Sequence, residues 1–505
     1  MLRVAAILFR QKENNVLSSI MGIIMEKQTR REFLKAIGFG AASVGAMSIL
    51  PGCAGTGRVE GAKGKRPNIL FLFTDDQRFD TIRALGNKDI VTPNMDRLVR
   101  AGTTFTNAYI MGSMSGAVCM PSRAMLLSGK NLFDLVDKGR TIPAEHPMLP
   151  EVLRNAGYVT FGTGKWHNGK EPFARSFTAG ANIFFGGMSD HYRVPVHDFD
   201  PTGKYPKEKR YRKEGKHSSE LFSDAAIEFL HNHWDDKPFF VYVSYTAPHD
   251  PRTVPKKYHD MYDPEKIPLP KNFLAEHPFD NGEMRIRDEK LAAWPRTPEE
   301  VRRHIADYYA MITHVDAQIG RVLKALKRTR HAENTIIVFS ADNGLAVGQH
   351  GLMGKQNLYE HSVHVPLIMS GPGIPKGQKR DALCYVHDIY PTLCDLTGVA
   401  IPESVKSKSL VPVIRGPKKK IRDTLFFAYK DIQRSIRDEH YKLILYFVNG
   451  KGTAQLFDLE RDPWELKNLA DDAKYGEHMQ RLGDELLRWK DELGDKSKFW
   501  EYWRA

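Results

Sequence analysis

The chain has 505 residues, enough to bury a large core and to form two or more domains. Its 41% hydrophobic and 27% charged residues are ordinary for a folded globular protein, and four cysteines over this length exclude a disulfide framework. A net charge of +13 directs attention to anionic partners, but no zinc-finger spacing, basic heptad region or RNA-binding aromatic motif supports nucleic acid; another polyanion or a merely basic surface remains.

Near the amino terminus, Thr29-Arg30-Arg31-Glu32-Phe33-Leu34-Lys35 precedes a mild apolar run at 36–50. The run is too short and too rich in Gly, Ala and Ser for a membrane span. Paired arginines followed by Phe-Leu-Lys read as a twin-arginine export signal. This predicts passage through the twin-arginine export machinery to the periplasm, or to an outward-facing membrane-anchored position in a bacterium. Leu50-Pro51-Gly52-Cys53 reads as a lipobox with a lipid anchor at Cys53, although Pro51 is unusual in that slot. Met25 fits a true start. Residues 1–57 form the leader in this reading, and 58–65 a flexible linker.

The apolar run from Asn68 to Thr74 predicts a strand buried on both faces. It ends in Asp75-Asp76, where open α/β sheets place ligands; adjacent carboxylates there repel unless a cation joins them. Thr92-Pro93 opens a capped helix. Further on, Cys119-Met-Pro-Ser-Arg123 and Ala124-Met-Leu-Leu-Ser-Gly129 predict a helix through about 122–127, begun by Pro121 and ended by Gly129. Cys119 then sits at a helix N-terminus, which favours negative charge, with Arg123 one turn on and able to reach back.

A helix at 149–157 and a strand at 158–161 lead into Gly-rich sequence holding Lys165 and His167. On an extended segment these two face the same side and read as an anion pocket or, taken without the other motifs, as a solvated loop. Residues 170–217, with Asp190 and His191, show no periodicity and read as an insertion over the site or a surface loop. A buried strand at 238–245 runs into Ala247-Pro248-His249, with Arg252 beyond. Residues 254–296 are Pro-rich and irregular. Thr297-Pro298-Glu299-Glu300 caps a helix whose apolar face, Val301 to Leu326, reads as core without chemistry. The strand at 335–339 ends near Asp342-Asn343, and Lys355 and Glu360 follow before a strand at 366–370. Cys384 and Cys394 read as buried thiols rather than a local disulfide. After about residue 400 come shorter strands at 425–429, 441–447 and 455–459, and a helix at 476–493. These elements predict an α/β domain over 66–414 with a large, mostly parallel central sheet flanked by helices, and a smaller C-terminal α+β domain over 415–505.

Cys-x-Pro-Ser-Arg followed by Ala-x-Leu-Leu-Ser-Gly resembles the signature of the formylglycine-dependent (type I) sulfatases of the alkaline phosphatase superfamily, and the resemblance spans roughly 66–470. It implies an alkaline-phosphatase-like fold and a Cys119 oxidised by a formylglycine-generating maturation enzyme to an aldehyde whose hydrate is the nucleophile. Asp75, Asp76, Asp342 and Asn343, with the modified Cys119, would hold Ca²⁺; Mg²⁺ demands tighter geometry and is the second choice. Lys165, Lys355 and Arg123 would neutralise the sulfate. The implied sequence is attack of one hydroxyl on sulfur, with Asp342 helping to remove its proton and His249 protonating the leaving oxygen, then deprotonation of the second hydroxyl by His167. At this level the two histidine roles are interchangeable. Lys165, His249 and Lys355 are the expected substrate contacts, joined by Asp190, His191 and Arg252. The expected activity is hydrolysis of O-sulfate esters on sulfated saccharides. A phosphonate monoester or phosphodiester hydrolase of the same superfamily, and a non-catalytic glycan-binding lipoprotein, are the alternatives.

Overall fold

In the computed structural model the described residues are 65–416 and 419–503. The export signal, its apolar run, Met25 and Cys53 lie outside them. Lys65–Phe499 form one unit. Its centre is an eight-stranded sheet of β1 (Asn68–Thr74), β2 (Thr103–Phe105), β3 (Val159–Lys165), β4 (Ala179–Phe184), β5 (Phe239–Ser244), β6 (Thr335–Ala341), β7 (Leu367–Ser370) and β8 (Gln378–Arg380). The spatial order is β8-β2-β7-β6-β1-β5-β3-β4. Only β7 runs against the rest, pairing antiparallel with β2 and β6.

β1 is buried along its whole length because both faces of the sheet are covered. Leu70 and Leu72 enter a core shared with three helices, α1 (Pro93–Ala101), α5 (Ser218–Asn232) and α6 (Pro298–Lys327). Phe71 and Phe73 point the other way, into an aromatic group with Tyr242. On that side Arg123, from α2 (Cys119–Ser128), lies over the Phe73 ring at 5.0 Å. The cap of α6 forms as its sequence predicts, with Glu300 N–H donating to Thr297 Oγ1 at 3.2 Å.

The stretch 170–217 is not simply an insertion. It supplies α4 (Lys170–Ser176) and the edge strand β4, which pairs parallel with β3. Its strand is hidden in the sequence because the first half, Ala179-Gly-Ala181, is only partly buried and carries no apolar run. α3 (Leu149–Asn155) precedes β3. Residues 254–296 are irregular apart from single turns.

Beyond α7 (Ile389–Thr397) the chain forms a second sheet. It is an antiparallel meander of β9 (Leu425–Tyr429), β10 (Gln433–Arg437), β11 (Tyr441–Val448) and β12 (Lys451–Asp458). α8 (Gly476–Leu493) carries Leu482, Leu486 and Trp489 as buried residues. β10 escapes a hydrophobicity reading because Gln-Arg-Ser-Ile-Arg is mostly polar, yet it is wholly buried. Its Arg434 is paired with Asp495 at 2.6 Å. The short strand Gly112–Ser113, just upstream of Cys119, adds to β9 in parallel. Gly112 has φ +102°, and a Cβ there would stand 2.0 Å from the Ala428 carbonyl oxygen, so glycine alone permits this contact. Cys384 and Cys394 are free and buried, as expected, Cys394 inside α7.

Candidate active site

Sheet register assembles the site. β1 pairs Thr74 with Ala341 of β6, and Phe73 with Ser244 of β5; β3 pairs Gly164 with the same Ser244. The residues that follow, Asp75, Asp342 and Lys165, therefore leave β1, β6 and β3, three of four adjacent strands, at one level, at their carboxyl ends. Asp76 takes a left-handed φ of +67°, which turns its side chain back to the same place. Cys119 is the first residue of α2, buried, with Sγ 3.4 Å from His167 Nδ1 and 3.6 Å from Lys165 Nζ. His167 reaches it from φ +68°, not from the extended backbone expected; the turn, rather than strand alternation, brings Lys165 and His167 together. A Cβ at Gly187 would stand 2.8 Å from the His167 ring, so the Gly186-Gly187 pair lets β4's following loop cover it.

Arg123 does not spend its hydrogen bonds on Cys119. Its Nε donates to Asp342 Oδ2 at 2.8 Å, and Nη1 to the Lys165 carbonyl at 3.0 Å and Ser244 Oγ at 2.6 Å. It holds three strand ends in place. Lys165 pairs with Asp75 Oδ2 and Lys355 with Asp76 Oδ1, both at 2.5 Å, while Asn343 Nδ2 donates to Asp76 Oδ1 at 2.6 Å and Asp76 N–H to Asp342 Oδ1 at 3.1 Å.

Two oxygens in this cluster, Asp75 Oδ1 and Asn343 Oδ1, are buried and have no hydrogen-bond partner. Buried orphan acceptors are what a cation satisfies, and an all-oxygen donor set from Asp75, Asp76, Asp342 and Asn343 fits a hard divalent ion. Ligand atoms of Asp75, Asp342 and Cys119 lie within 4.8 Å of one another. Three carboxylates face Lys165, Lys355 and Arg123, so the side chains alone are near neutrality; a divalent ion would leave the site positive and ready for an anionic ester.

The electrostatics follow from burial and this charge pairing. Burial pushes Asp75 well above the ordinary carboxylate range, reinforced by Asp342. Burial acts likewise on Asp342, but Arg123, Lys165 and Lys355 outweigh it and hold that group at about 2. Burial, with Lys165 next, takes His167 down to about 2, so it is a neutral acceptor. Burial raises the Cys119 thiol in spite of the two lysines. His249 is also kept neutral by burial and by Lys355. Its Nδ1 donates to the Asp250 carbonyl at 2.8 Å, leaving a bare Nε2 3.8 Å from Asp76 Oδ2.

The three outlying candidates are placed differently. Asp190 is exposed and accepts from Tyr192 N–H in a local turn. His191 is not a substrate contact, because both ring nitrogens are used within the protein, on Ser218 Oγ and the His249 carbonyl. Arg252 is half-buried; its Nη1 donates to His304 Nδ1 at 2.8 Å, and its Nε and Nη2 are buried without a hydrogen-bond partner. Sequence reasoning also missed supports. Tyr308, read as plain core, donates from its hydroxyl to the Asp76 carbonyl at 2.5 Å and accepts from Arg78 N–H. Asp250 is gripped by Arg287, which also pairs with Asp288. A tyrosine on an otherwise apolar stripe gives no sign of this until the helix is docked.

A sulfatase family profile matches residues 67–399, and a profile for the C-terminal part of N-sulphoglucosamine sulphohydrolase matches 348–492. An N-acetylglucosamine-6-O-sulfatase of Bacteroides thetaiotaomicron is 29% identical, over 86% of this chain and 88% of its own. An arylsulfatase of Clostridium perfringens is 30% identical, over 84% and 94% respectively. A solved structure, described as a complex with its substrate D-glucosamine-2-N,6-O-disulfate, superposes with a TM-score of 0.73 at 26% identity, covering 86% of this chain and 99% of that one. The chain belongs to the sulfatase family, within the alkaline phosphatase superfamily, and is a sulfuric ester hydrolase. Enzymes of this family use a metal ion and a formylglycine, and the acidic cluster described above is a candidate seat for the ion.

Proposed function

We propose that the enzyme removes O-sulfate groups from sulfated saccharides, using Ca²⁺ and a formylglycine formed from Cys119 by a maturation enzyme. The observation that carries this reading is Cys119 buried at a helix start between Lys165 and His167, beside two orphaned carboxyl and amide oxygens. The saccharide substrate is supported by the relative that acts as an N-acetylglucosamine-6-O-sulfatase and by the disulfated glucosamine bound in a similar structure. Ca²⁺ rather than Mg²⁺ suits oxygens drawn from separate strand ends, because it tolerates irregular geometry. Export through the twin-arginine route, with a lipid anchor at Cys53, is the accompanying proposal for location; the leader residues support it.

When formed, the aldehyde hydrate supplies a nucleophile that can release sulfate by itself. A bound cation supplies Lewis-acid stabilisation of the sulfuryl oxygens. Lys165 and Lys355 bind the anionic ester through their ammonium groups. Arg123 orients Asp342 and the Lys165 backbone. His167, neutral with Nδ1 facing residue 119, is the proton acceptor there. His249 presents Nε2 toward Asp76; an anionic sulfate beside it raises its affinity for the proton it would give the leaving oxygen.

A screen of defined sulfated saccharides beside an aryl sulfate and an aryl phosphonate tests the reading. The expected result is desulfation of at least one saccharide faster than either aryl compound. Faster turnover of the phosphonate would replace it with phosphonate hydrolysis.

A further inference from the structure

The loop that carries His249 is gripped by two histidines that come from elsewhere in the chain. His191 and His217 stack face to face, ring centroids 4.9 Å apart and planes 4° from parallel. Each places Nε2 on a backbone carbonyl of that loop: His191 on His249 O at 2.9 Å, His217 on Thr253 O at 3.0 Å. A carbonyl only accepts, so both Nε2 atoms carry the proton and both Nδ1 atoms are bare. The bare nitrogens are filled from the start of α5. Ser218 Oγ lies 2.8 Å from His191 Nδ1, and Ser219 N–H donates to His217 Nδ1 at 3.1 Å. Thr246 Oγ1, on the gripped loop itself, stands 2.9 Å from Ser218 Oγ and 3.2 Å from His191 Nδ1. His314 of α6 packs edge-on against His217 at 4.4 Å. Both imidazoles are 1% exposed.

We propose that the stacked pair His191–His217 is a positioning device for His249. The His249 ring is tied to its own loop through Asp250 O, so its place in the site is set by where the loop backbone lies. That backbone has no strand ladder to hold it beyond β5. Ala247 O is anchored by Asp75 N–H at 3.2 Å, and Asp250 by Arg287. The carbonyls of His249 and Thr253 are held by the two imidazoles, which share one rigid foundation in α5. Losing either lets the loop shift, and a displacement near 1 Å at a proton-transferring group costs about a hundredfold in rate. The proposal rests on the proton-transfer role of His249 in the proposed reaction.

The test compares H191A, H217A and H191Q in the mature, metal-loaded enzyme. H191A and H217A should lower kcat on a sulfated saccharide about ten- to a hundredfold with KM within about twofold. H191Q should keep most of the kcat, because a glutamine amide N–H reaches the same carbonyl. In an H249A background H191A should have little further effect. Hydrogen–deuterium exchange over 246–253 should quicken in both alanine variants and return toward wild type in H191Q. Unchanged exchange in both alanine variants overturns the clamp whatever the activity. Quickened exchange with full additivity of H191A and H249A overturns its link to His249. If the wild type cleaves no sulfate ester, the reaction falls, and the exchange result alone upholds or rejects the clamp. Should H191A fail to fold, H217A carries each comparison.

Discussion

At the scale of single residues, the site is a set of buried charges that are tolerable only in combination. Asp342 is the hinge of that balance, since it pairs with Arg123 at 2.8 Å where neither side chain is exposed. Asp342→Ala would strand a buried guanidinium, at a cost of about 3–5 kcal/mol, and remove a candidate ligand of the cation. Asp75→Ala removes the orphan oxygen and frees Lys165. Both variants should lose bound divalent metal together with activity; full metal content by elemental analysis in both would refute the ligand assignment. Cys119→Ala should abolish turnover and leave the melting temperature close to wild type. Peptide mass spectrometry that found only free thiol at Cys119 in fully active enzyme would sink the formylglycine proposal.

At the scale of elements, two joints tie the C-terminal region to the catalytic domain, one of them just upstream of Cys119. One is the Gly112–Ser113 strand on β9. Gly112→Ala forces a Cβ into the Ala428 carbonyl from a backbone that favours glycine, and should cost about 2 kcal/mol or more, measured by chemical denaturation. The other is Asp388, at the start of α7, paired with Arg422 through two contacts of 2.5 and 2.9 Å. Burial would raise the Asp388 carboxyl, but Arg422 outweighs it and holds it below its ordinary value. The folded chain then binds fewer protons than the unfolded one. This stabilisation is complete above the unfolded value of about 4 and drains away as the pH falls below it. Asp388→Asn should therefore lower the melting temperature at pH 7 and flatten its decline between about pH 4 and pH 2. A decline as steep as that of the wild type would show that other carboxylates govern acid unfolding.

At the scale of the whole molecule, the +13 charge bears on encounter rather than on chemistry. A basic enzyme attracts a polyanion over a distance that salt shortens, so kcat/KM on a sulfated polymer should fall more steeply with added salt than on a small sulfate ester. Equal salt sensitivity would remove steering from the account. Strand ends, α2 and α6 close around the site, and Tyr308 and Arg123 fill the positions behind the carboxylates.

Much of this could be read from the sequence. Continuous apolar runs at 68–74, 238–245 and 335–339 read as strands covered on both faces, and Asp75, Asp76, Asp342 and Asn343 at the ends of two of them read as a ligand-binding edge once the family resemblance is added. Cys119, two residues ahead of Pro121 in a run that ends at Gly129, reads as a helix start by local pattern alone. What the sequence could not decide is anything that depends on two segments meeting. Arg123 lies one turn from Cys119 but is drawn to Asp342 and Ser244, because the sheet's register places them within reach of its guanidinium. His191 looks like a site histidine and becomes a support, since α5 and the His249 loop claim both its nitrogens. β4 and β10 lack an apolar signature; one is a half-covered edge strand, and the other balances buried arginines with acids distant in sequence. Local pattern determines which groups can react, and only packing decides which of them face the substrate and which hold the others in place.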